Sequence, residues 1–176
     1  MTLREKYGEW GIILGATEGV GKAFCERLAK EGMNVVMVGR REEKLKELGE
    51  ELKNTYEIDY KVVKADFSLP DATDKIFAAT ENLDMGFMAY VACLHSFGKI
   101  QDTPWEKHEA MINVNVVTFM KCFYHYMKIF AAQDRGAVIN VSSMTGISSS
   151  PWNGQYGAGK AFILKMTEAV ACETEK

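Results

Sequence analysis

The sequence has no excess of basic residues. Its 21 lysines and arginines are outnumbered by 24 aspartates and glutamates, which gives a formal net charge of −3 at pH 7. Proteins that bind a nucleic-acid duplex need surplus positive charge to neutralise its phosphates. The charge balance therefore excludes nucleic acid as a partner.

A long apolar run and a targeting segment are also missing. The chain opens with the charged segment 1–6, and its first apolar run covers only residues 12–14. A membrane-spanning helix needs roughly 20 apolar residues, and a signal peptide needs an apolar stretch after its cationic start. We therefore expect no membrane contact and a cytoplasmic location.

Metal-binding and redox spacings are missing as well. The cysteines Cys25, Cys93, Cys122 and Cys172 lie far apart and form no ligand or disulfide pattern. We interpret them as small buried hydrophobic residues in a reducing compartment. No metal site is expected.

What the chain does contain is an alternation of short apolar runs with longer amphipathic segments, without repeats or linkers. The runs predict strands at 11–14, 35–38, 60–64, 87–92 and 137–141, each buried on both faces. The longer segments predict helices at 20–31, 42–56, 71–79, 105–130 and from 154 to the end of the chain. This order predicts an α/β fold, a doubly wound parallel sheet of the Rossmann type in one domain, 1–176.

A glycine-rich turn joins the first predicted strand to the first predicted helix. Gly15, Gly19 and Gly21 have the spacing Gly-x-x-x-Gly-x-Gly. Glycine permits a sharp turn and lets the amides of a helix N-terminus approach a pyrophosphate. A plain tight turn is the alternative. We predict that a dinucleotide is bound by this turn, namely by Gly15, Thr17, Glu18, Gly19, Val20 and Gly21.

Residues at the tips of the next two strands indicate which dinucleotide binds. Arg40 and Arg41 follow the second strand, where an acid favours NAD and an arginine favours the 2′-phosphate of NADP. A solvated helix start is the alternative. Asp66 and Phe67 follow the third strand, where Asp66 either accepts a hydrogen bond from adenine or forms a turn or helix cap. The predicted cofactor is NADP.

A tyrosine and a lysine lie four residues apart on the last predicted helix. Tyr156 and Lys160 share one helix face, where an ammonium group lowers the pKa of a phenol towards neutrality. The same spacing recurs at Tyr60 on a predicted strand and at Tyr124 on the long helix. Only Tyr156 has a hydroxyl 13 residues earlier, at Ser143, where the fifth strand ends. These features predict a proton-transfer site.

Two residues of this predicted site have structural alternatives. The Ser143 hydroxyl either faces a ligand or bonds to the backbone at the strand end. Asn115 lies in a helix interior, where asparagine is unfavourable, and this indicates a bound water or a bent helix. His95, Trp105 and Trp152 are expected near the mouth of this predicted site and are interpreted as packing residues rather than catalytic ones.

Together these residues resemble the short-chain dehydrogenase/reductase family, over the whole length of the chain. The resemblance is carried by the glycine turn, Asp66, Asn115, Ser143, Tyr156 and Lys160. It implies hydride transfer, with Tyr156 as acid/base and Lys160 lowering its pKa and binding the nicotinamide ribose. It further implies that Ser143 orients the substrate oxygen, that Asn115 holds a proton-relay water, and that Ala92 contacts the cofactor.

Segments 10–21, 91–98 and 142–146 are similar to a subgroup of that family, the NADP-dependent hydroxysteroid dehydrogenases of gut bacteria. That similarity implies a steroid substrate, with interconversion of 7-oxo and 7β-hydroxy bile acids. The alternatives are a module that holds NADP without turnover and a reductase of another carbonyl compound.

The chain departs from the family pattern in three places. Leu14 stands where threonine is common, and the segment 90–93 replaces Asn-Asn-Ala-Gly, which puts the bracing of that strand in doubt. The family continues with further strands after the helix that carries Tyr156 and Lys160. We therefore expect the domain 1–176 to be truncated within that helix, unstable, and prone to form a homo-oligomer through the unpaired edge of the fifth strand.

Overall fold

A computed structural model describes residues 1–174 of the chain. This part contains five strands: β1 (Trp10–Leu14), β2 (Asn34–Gly39), β3 (Tyr60–Lys64), β4 (Met85–Tyr90) and β5 (Ala137–Asn140). Its α-helices are α1 (Leu3–Tyr7), α2 (Gly19–Lys30), α3 (Glu42–Tyr56), α4 (Ala72–Thr80), α5 (Trp105–Ile112), α6 (Phe119–Gln133) and α7 (Gly154–Thr174). Within residues 1–174, no helix has both the length and the hydropathy that crossing a bilayer requires.

All the strand pairs are parallel, and the sheet order is β3-β2-β1-β4-β5. Strand β1 pairs with β2 on one side and with β4 on the other, so the direction of winding reverses between β1 and β4. In open α/β sheets the ligand crevice lies outside the carboxyl ends of the strands at such a point. The predicted doubly wound parallel sheet is confirmed, and it places the crevice beside Leu14 and Tyr90.

Alternate residues of the central strands face opposite sides of the sheet and enter two separate cores. Ile12 and Leu14 belong to one core, which α4, α6 and α7 cover with side chains such as Ile76 and Phe119. Ile13 belongs to the other core, which α2 and α3 cover. The sheet is therefore covered on both faces, as the alternation of strands and helices predicts.

The prediction that all strands are fully buried is wrong for β3 and β5. These are the two outer strands of the sheet, and Ile139 of β5 is 40% exposed. An outer strand has a neighbour on one side only, so even apolar residues there remain partly in contact with solvent. The apolar character of a run does not show where its strand lies in the sheet.

Most element boundaries agree with the sequence prediction to within one or two residues, and those of β3 and α3 agree fully. Residues 175 and 176, which we predicted to be helical, lie outside the described residues. The short helix α1 was not predicted because five residues are too few to show a helical period. Thr2 and Glu5 hold it with a reciprocal capping box.

Strand β4 ends at Tyr90, two residues before its predicted end. The amides of Val91 and Ala92 both donate to the carbonyl oxygen of Leu14, at 2.8 and 2.7 Å. Two consecutive amides cannot point at one acceptor in an extended strand, because successive groups alternate in direction. The chain therefore turns away from the sheet at Val91.

The long helix predicted at 105–130 is interrupted by a π-helical segment, Asn113–Thr118, between α5 and α6. Polar contacts hold this segment from its sides: the Tyr90 hydroxyl donates to the Val114 carbonyl at 2.6 Å, and Thr118 donates to the Phe67 carbonyl at 2.8 Å. Asn115 lies within it. The asparagine that is unfavourable in a regular helix interior therefore lies in an irregular segment, and such segments often mark functional sites.

The cysteines divide into two kinds. Cys25 and Cys122 are fully buried, and burial raises the pKa of the Cys122 thiol to about 12. Cys93 and Cys172 are exposed, so the interpretation of all four as buried residues is wrong for these two. Cys93 follows β4 at the carboxyl end of the sheet, where a loop opens towards the crevice, and Cys172 lies in the final turns of α7.

Phe119 contributes strongly to the stability of the fold. Its ring is fully buried and contacts the rings of Tyr90, Phe123 and Phe162 at centroid distances of 5.3, 5.4 and 6.1 Å. We expect Phe119→Ala to lower the free energy of unfolding by about 3–5 kcal/mol, measured by urea denaturation. Tyr124→Ala on the same helix is the control, because Tyr124 is 60% exposed, and its cost should stay below about 1 kcal/mol. Similar losses for both variants would contradict this account of the core.

Candidate active site

The glycine-rich turn connects β1 to α2 and lies against both neighbouring strands. Gly15 has a φ of +100°, and a β-carbon there would lie 2.6 Å from the Ala92 amide nitrogen. A β-carbon on Gly21 would lie 2.0 Å from the carbonyl oxygen of Gly15. The amides of Gly15 and Ala16 both donate to the Val38 carbonyl, at 3.0 and 3.1 Å. No larger residue fits at Gly15 or Gly21, so the turn depends on glycine to pack against Ala92 and against its own backbone.

A cleft of about 270 Å³ opens beside this turn, at the carboxyl ends of β1, β2, β3 and β4. It includes many of the predicted cofactor residues: Gly15, Thr17, Glu18, Arg40, Arg41, Asp66, Phe67 and Ala92. Gly19 and Val20 lie exposed at the start of α2, and Gly21 packs beneath the turn. The other lining residues were not predicted from the sequence and are Gly39, Ser68, Val91, Cys93, Leu94 and Val114.

Most of these unpredicted lining residues are sequence neighbours of predicted residues at strand tips. This proximity in sequence is the signal that could have identified them. Val114 differs because it lies on the π-helical segment, far from the turn in sequence. Only the packing of that segment against Tyr90 brings it to the cleft.

The two arginines at the tip of β2 have different surroundings. Arg41 forms an ion pair with Glu18 of the glycine turn, with 2.9 Å between Nη1 and Oε2. The positive charge of Arg40 acts on Asp66. Both arginines line the cleft and carry the charge that a phosphate group requires.

Asp66 forms a local turn. Its Oδ1 accepts hydrogen bonds from the Ser68 amide at 3.0 Å and from the Ser68 hydroxyl at 2.7 Å. Burial favours the neutral carboxyl group, but these hydrogen bonds and the charge of Arg40 outweigh it, so the pKa of Asp66 lies below its usual value. These contacts agree with the alternative interpretation of Asp66 as a residue that forms a turn. Phe67 is buried, and its ring packs on Tyr90.

Tyr156 lies in the first turn of α7, beside Ser143 and Cys93. Burial raises the pKa of its phenol, and the charge of Cys93 and a hydrogen bond with it act in the same direction. A hydrogen bond with Ser143 lowers the pKa of Tyr156 but does not offset the increase. The serine hydroxyl and the tyrosine hydroxyl, predicted to face one substrate oxygen, are therefore neighbours. The phenol is mainly protonated at neutral pH.

Lys160 is 1% exposed, and its ammonium group is held by the main chain. Its Nζ donates to the Val141 carbonyl at 2.6 Å and lies 5.8 Å from the centroid of the Tyr156 ring. The expectation that Lys160 brings the pKa of Tyr156 below its ordinary value is wrong for this geometry, since the pKa is raised. Burial lowers the pKa of Lys160 itself, and the charge of Cys93 opposes that decrease.

Ser143 and Asn115 both have structural contacts. The Ser143 hydroxyl accepts from the Thr145 amide at 3.3 Å and from the Thr145 hydroxyl at 3.0 Å, so it also caps the turn after β5. The Asn115 side chain accepts from the Leu94 amide at 3.1 Å and donates to the Leu94 carbonyl at 2.7 Å. Asn115 therefore clamps the loop that carries Cys93.

The other two Tyr-x-x-x-Lys pairs lie elsewhere. Tyr60 is on an outer strand, and its hydroxyl donates to Glu50 at 2.5 Å. Tyr124 is 60% exposed on α6, where Lys128 lies 5.5 Å from its ring centroid. Of the three tyrosines, Tyr156 is the one that lies beside Ser143. The sequence predicts this, because Ser143 precedes Tyr156 at the end of the fifth strand.

The mouth above Tyr156 is formed by the loops after β4 and β5. His95 contacts the rings of Phe97 and Tyr156, at 5.5 and 5.9 Å between centroids. The Gly98 amide donates to the Trp152 carbonyl at 2.9 Å and joins the two loops. These loops expose several large apolar side chains: Phe97, Ile100, Met144, Ile147 and Trp152.

The three aromatic residues interpreted as packing residues near this mouth lie outside the buried cores. Trp105 and Trp152 are 64% and 65% exposed, and His95 is exposed as well. They lie on loops and at a helix start above the sheet, outside the two cores. An exposed apolar rim of this kind fits a ligand that is itself large and apolar.

Comparison with known proteins agrees with this geometry. A family model described as short chain dehydrogenase matches residues 9–176. A 7beta-hydroxysteroid dehydrogenase of Collinsella aerofaciens is 83% identical over 175 residues, which cover 99% of this chain and 66% of that protein. A 7beta-hydroxysteroid dehydrogenase of Clostridium sardiniense is 46% identical over 173 residues, covering 98% of this chain and 66% of that protein. The chain thus spans slightly less than two thirds of the length of these relatives.

Solved structures show the same fold. One from a study of 7beta-hydroxysteroid dehydrogenase stereoselectivity superposes with a TM-score of 0.98 at 83% identity, covering 99% of this chain and 69% of that one. A short-chain dehydrogenase from Sphingobium yanoikuyae in complex with NADPH superposes with a TM-score of 0.89 at 24% identity, covering 94% of this chain and 65% of that one. From the fold, the cleft and the family match together, the chain belongs to the short chain dehydrogenase family.

Proposed function

We propose that this protein is an oxidoreductase that transfers a hydride between NADP(H) and a hydroxysteroid, interconverting 7-oxo and 7β-hydroxy bile acids. The observation that carries the chemistry is the placement of Tyr156 beside Ser143, at the carboxyl end of the sheet and next to the cleft. The substrate class is supported by the 83% identity to a 7beta-hydroxysteroid dehydrogenase and by the apolar rim of the mouth.

The cleft fits a dinucleotide with a 2′-phosphate. The glycine-rich turn and the positive end of α2 would bind the pyrophosphate. Arg40 and Arg41 would bind the 2′-phosphate, and Ala92 would contact the cofactor where β4 ends. When bound, NADP(H) supplies or accepts the hydride.

In this proposal the protein side chains move the proton and hold the reacting oxygen. Tyr156 donates a proton to the carbonyl oxygen during reduction and removes it from the hydroxyl during oxidation. Ser143 donates a hydrogen bond to the same oxygen. Lys160, fixed by the Val141 carbonyl and lying 5.8 Å from the centroid of the Tyr156 ring, would bind the nicotinamide ribose. Asn115 acts as a positioning residue through its two hydrogen bonds to Leu94.

The proposed setting is the cytoplasm, because the reaction requires a supply of NADP(H). We also propose a homo-oligomer. Its support is the apolar surface of β5, where Ile139 is 40% exposed. Sedimentation at several protein concentrations tests it, and a monomer throughout would contradict it.

Turnover should depend on Tyr156 far more than on the similarly spaced Tyr124. We expect Tyr156→Phe to lower kcat about 10²–10⁴-fold, because only the transferable proton is lost. NADPH consumption with a 7-oxo bile acid measures the effect, and the affinity for NADPH should be nearly unchanged. Tyr124→Phe is the control and should leave kcat unaltered. A greater loss for Tyr124→Phe would refute the site assignment.

The two arginines of the cleft should determine cofactor preference. We expect Arg40→Ala with Arg41→Ala to weaken NADP(H) binding by at least about tenfold and to change NAD(H) binding little, since only NADP carries the 2′-phosphate. Equilibrium titration of both cofactors measures this. Arg27→Ala is the control, because Arg27 pairs with Glu31 on α2, outside the cleft lining. Equal losses for the two cofactors would count against the proposed preference.

The pH profile should report the environment of Tyr156. Oxidation requires the phenolate and reduction the phenol, so the oxidation rate should rise and the reduction rate fall as pH approaches the raised pKa. Because Cys93 raises this pKa, Cys93→Ala should shift the rising limb of the oxidation profile to lower pH. Cys172→Ala, at the other exposed cysteine, should leave the profile in place. A shift to higher pH in Cys93→Ala would contradict this reading.

A further inference from the structure

An ion pair crosses the cleft between the glycine-rich turn and the tip of β2. Glu18 immediately precedes α2 in the glycine-rich turn, and Arg41 immediately precedes α3 after the tip of β2. Their side chains meet at 2.9 Å, and both residues line the cleft. At an N-terminal cap, a glutamate side chain can bond to helix amides, but Glu18 points to Arg41 instead. The pair therefore joins the turn proposed for the pyrophosphate to the arginines proposed for the 2′-phosphate.

The pair is charged and loosely held. The hydrogen bond from Arg41 and its charge keep the pKa of Glu18 below its usual value, so the carboxylate is ionised at neutral pH. The Glu18 and Arg41 side chains are 72% and 44% exposed, so solvent screens their attraction and the contact can exchange for a stronger one. A phosphate dianion offers Arg41 more negative charge than a carboxylate does.

We propose that Glu18 is a cofactor-selectivity residue, whose carboxylate holds Arg41 until the 2′-phosphate of NADP(H) displaces it. This inference rests on the proposed binding of that phosphate by Arg40 and Arg41. A guanidinium shared between a carboxylate and a phosphate would leave two anions close together, so the phosphate replaces the carboxylate. Part of the interaction with the 2′-phosphate then offsets the loss of the ion pair. Glu18 thus lowers the affinity for NADP(H) but leaves the affinity for NAD(H) unchanged.

Binding of cofactor fragments tests the proposal without turnover. The probes are adenosine 2′,5′-bisphosphate, which carries the 2′-phosphate, and adenosine 5′-monophosphate, which lacks it. Isothermal titration should show that Glu18→Gln binds the bisphosphate about two- to fivefold more tightly than wild type, the range expected for removing a competing surface ion pair. Its affinity for the monophosphate should be unchanged. Glu18→Ala should behave like Glu18→Gln.

Two controls separate an effect through Arg41 from a general effect of charge. Glu31→Gln removes the same charge from an Arg–Glu pair of 2.8 Å outside the cleft lining, and it should alter neither affinity. In an Arg41→Ala background, Glu18→Gln should give no gain, because no ion pair remains to be exchanged. Equal melting temperatures of wild type and Glu18→Gln would show that the fold is intact, as expected for an exposed side chain.

The possible failures are distinguishable. If Glu18→Gln binds the bisphosphate no better than wild type, or less well, Glu18 orients Arg41. The proposed displacement of the Glu18 carboxylate by the phosphate is then wrong, although the proposed binding of NADP(H) stands. A gain that persists with Arg41→Ala means direct repulsion and also overturns the exchange. If wild type binds the bisphosphate no more tightly than the monophosphate, the proposed NADP(H) preference fails, and this inference fails with it.

Discussion

Two carbonyl oxygens at the carboxyl ends of adjacent strands hold the cleft in shape. The Leu14 oxygen accepts from the amides of Val91 and Ala92, and the Val38 oxygen accepts from those of Gly15 and Ala16. Each pair of bonds ends a strand by drawing two consecutive amides to one acceptor. The chain leaves the sheet at these points, and the loops that line the cleft begin there. Gly15 allows the close approach, since any β-carbon at that position would collide with Ala92.

The reactive groups depend on the same frame for their chemistry. Asn115 holds Leu94 by both ends of its amide, and this places Cys93 beside Tyr156. Burial then opposes charge on both Tyr156 and Lys160: it raises the pKa of the phenol and lowers that of the ammonium group. The site therefore holds a protonated phenol at neutral pH and, next to it, a lysine whose charge is stabilised by the Val141 carbonyl.

Much of the fold follows from local pattern. The strands and helices on both sides of the glycine turn could be placed because their apolar periods are clear, as in the leucine stripe of α3. The outer position of β3 could not be predicted, because an apolar run has the same appearance at the edge and in the centre of a sheet. The end of β4 and the π-helical segment depend on contacts with residues distant in sequence, such as Leu14, Tyr90 and Leu94.

The sequence by itself determined the doubly wound sheet, the glycine turn, the arginines after β2 and the proposal of Tyr156, rather than Tyr60 or Tyr124, as the proton-transfer residue. Each of these depends on residue type and spacing along one or two adjacent elements. Only the tertiary structure decided the direction of the Tyr156 pKa shift, the contact of Lys160 with Val141 and the pairing of Glu18 with Arg41. The physical reason is that burial and charge act through space. The groups that surround Tyr156 and Lys160, among them Cys93 and the Val141 carbonyl, come from parts of the chain that meet only when the sheet has formed.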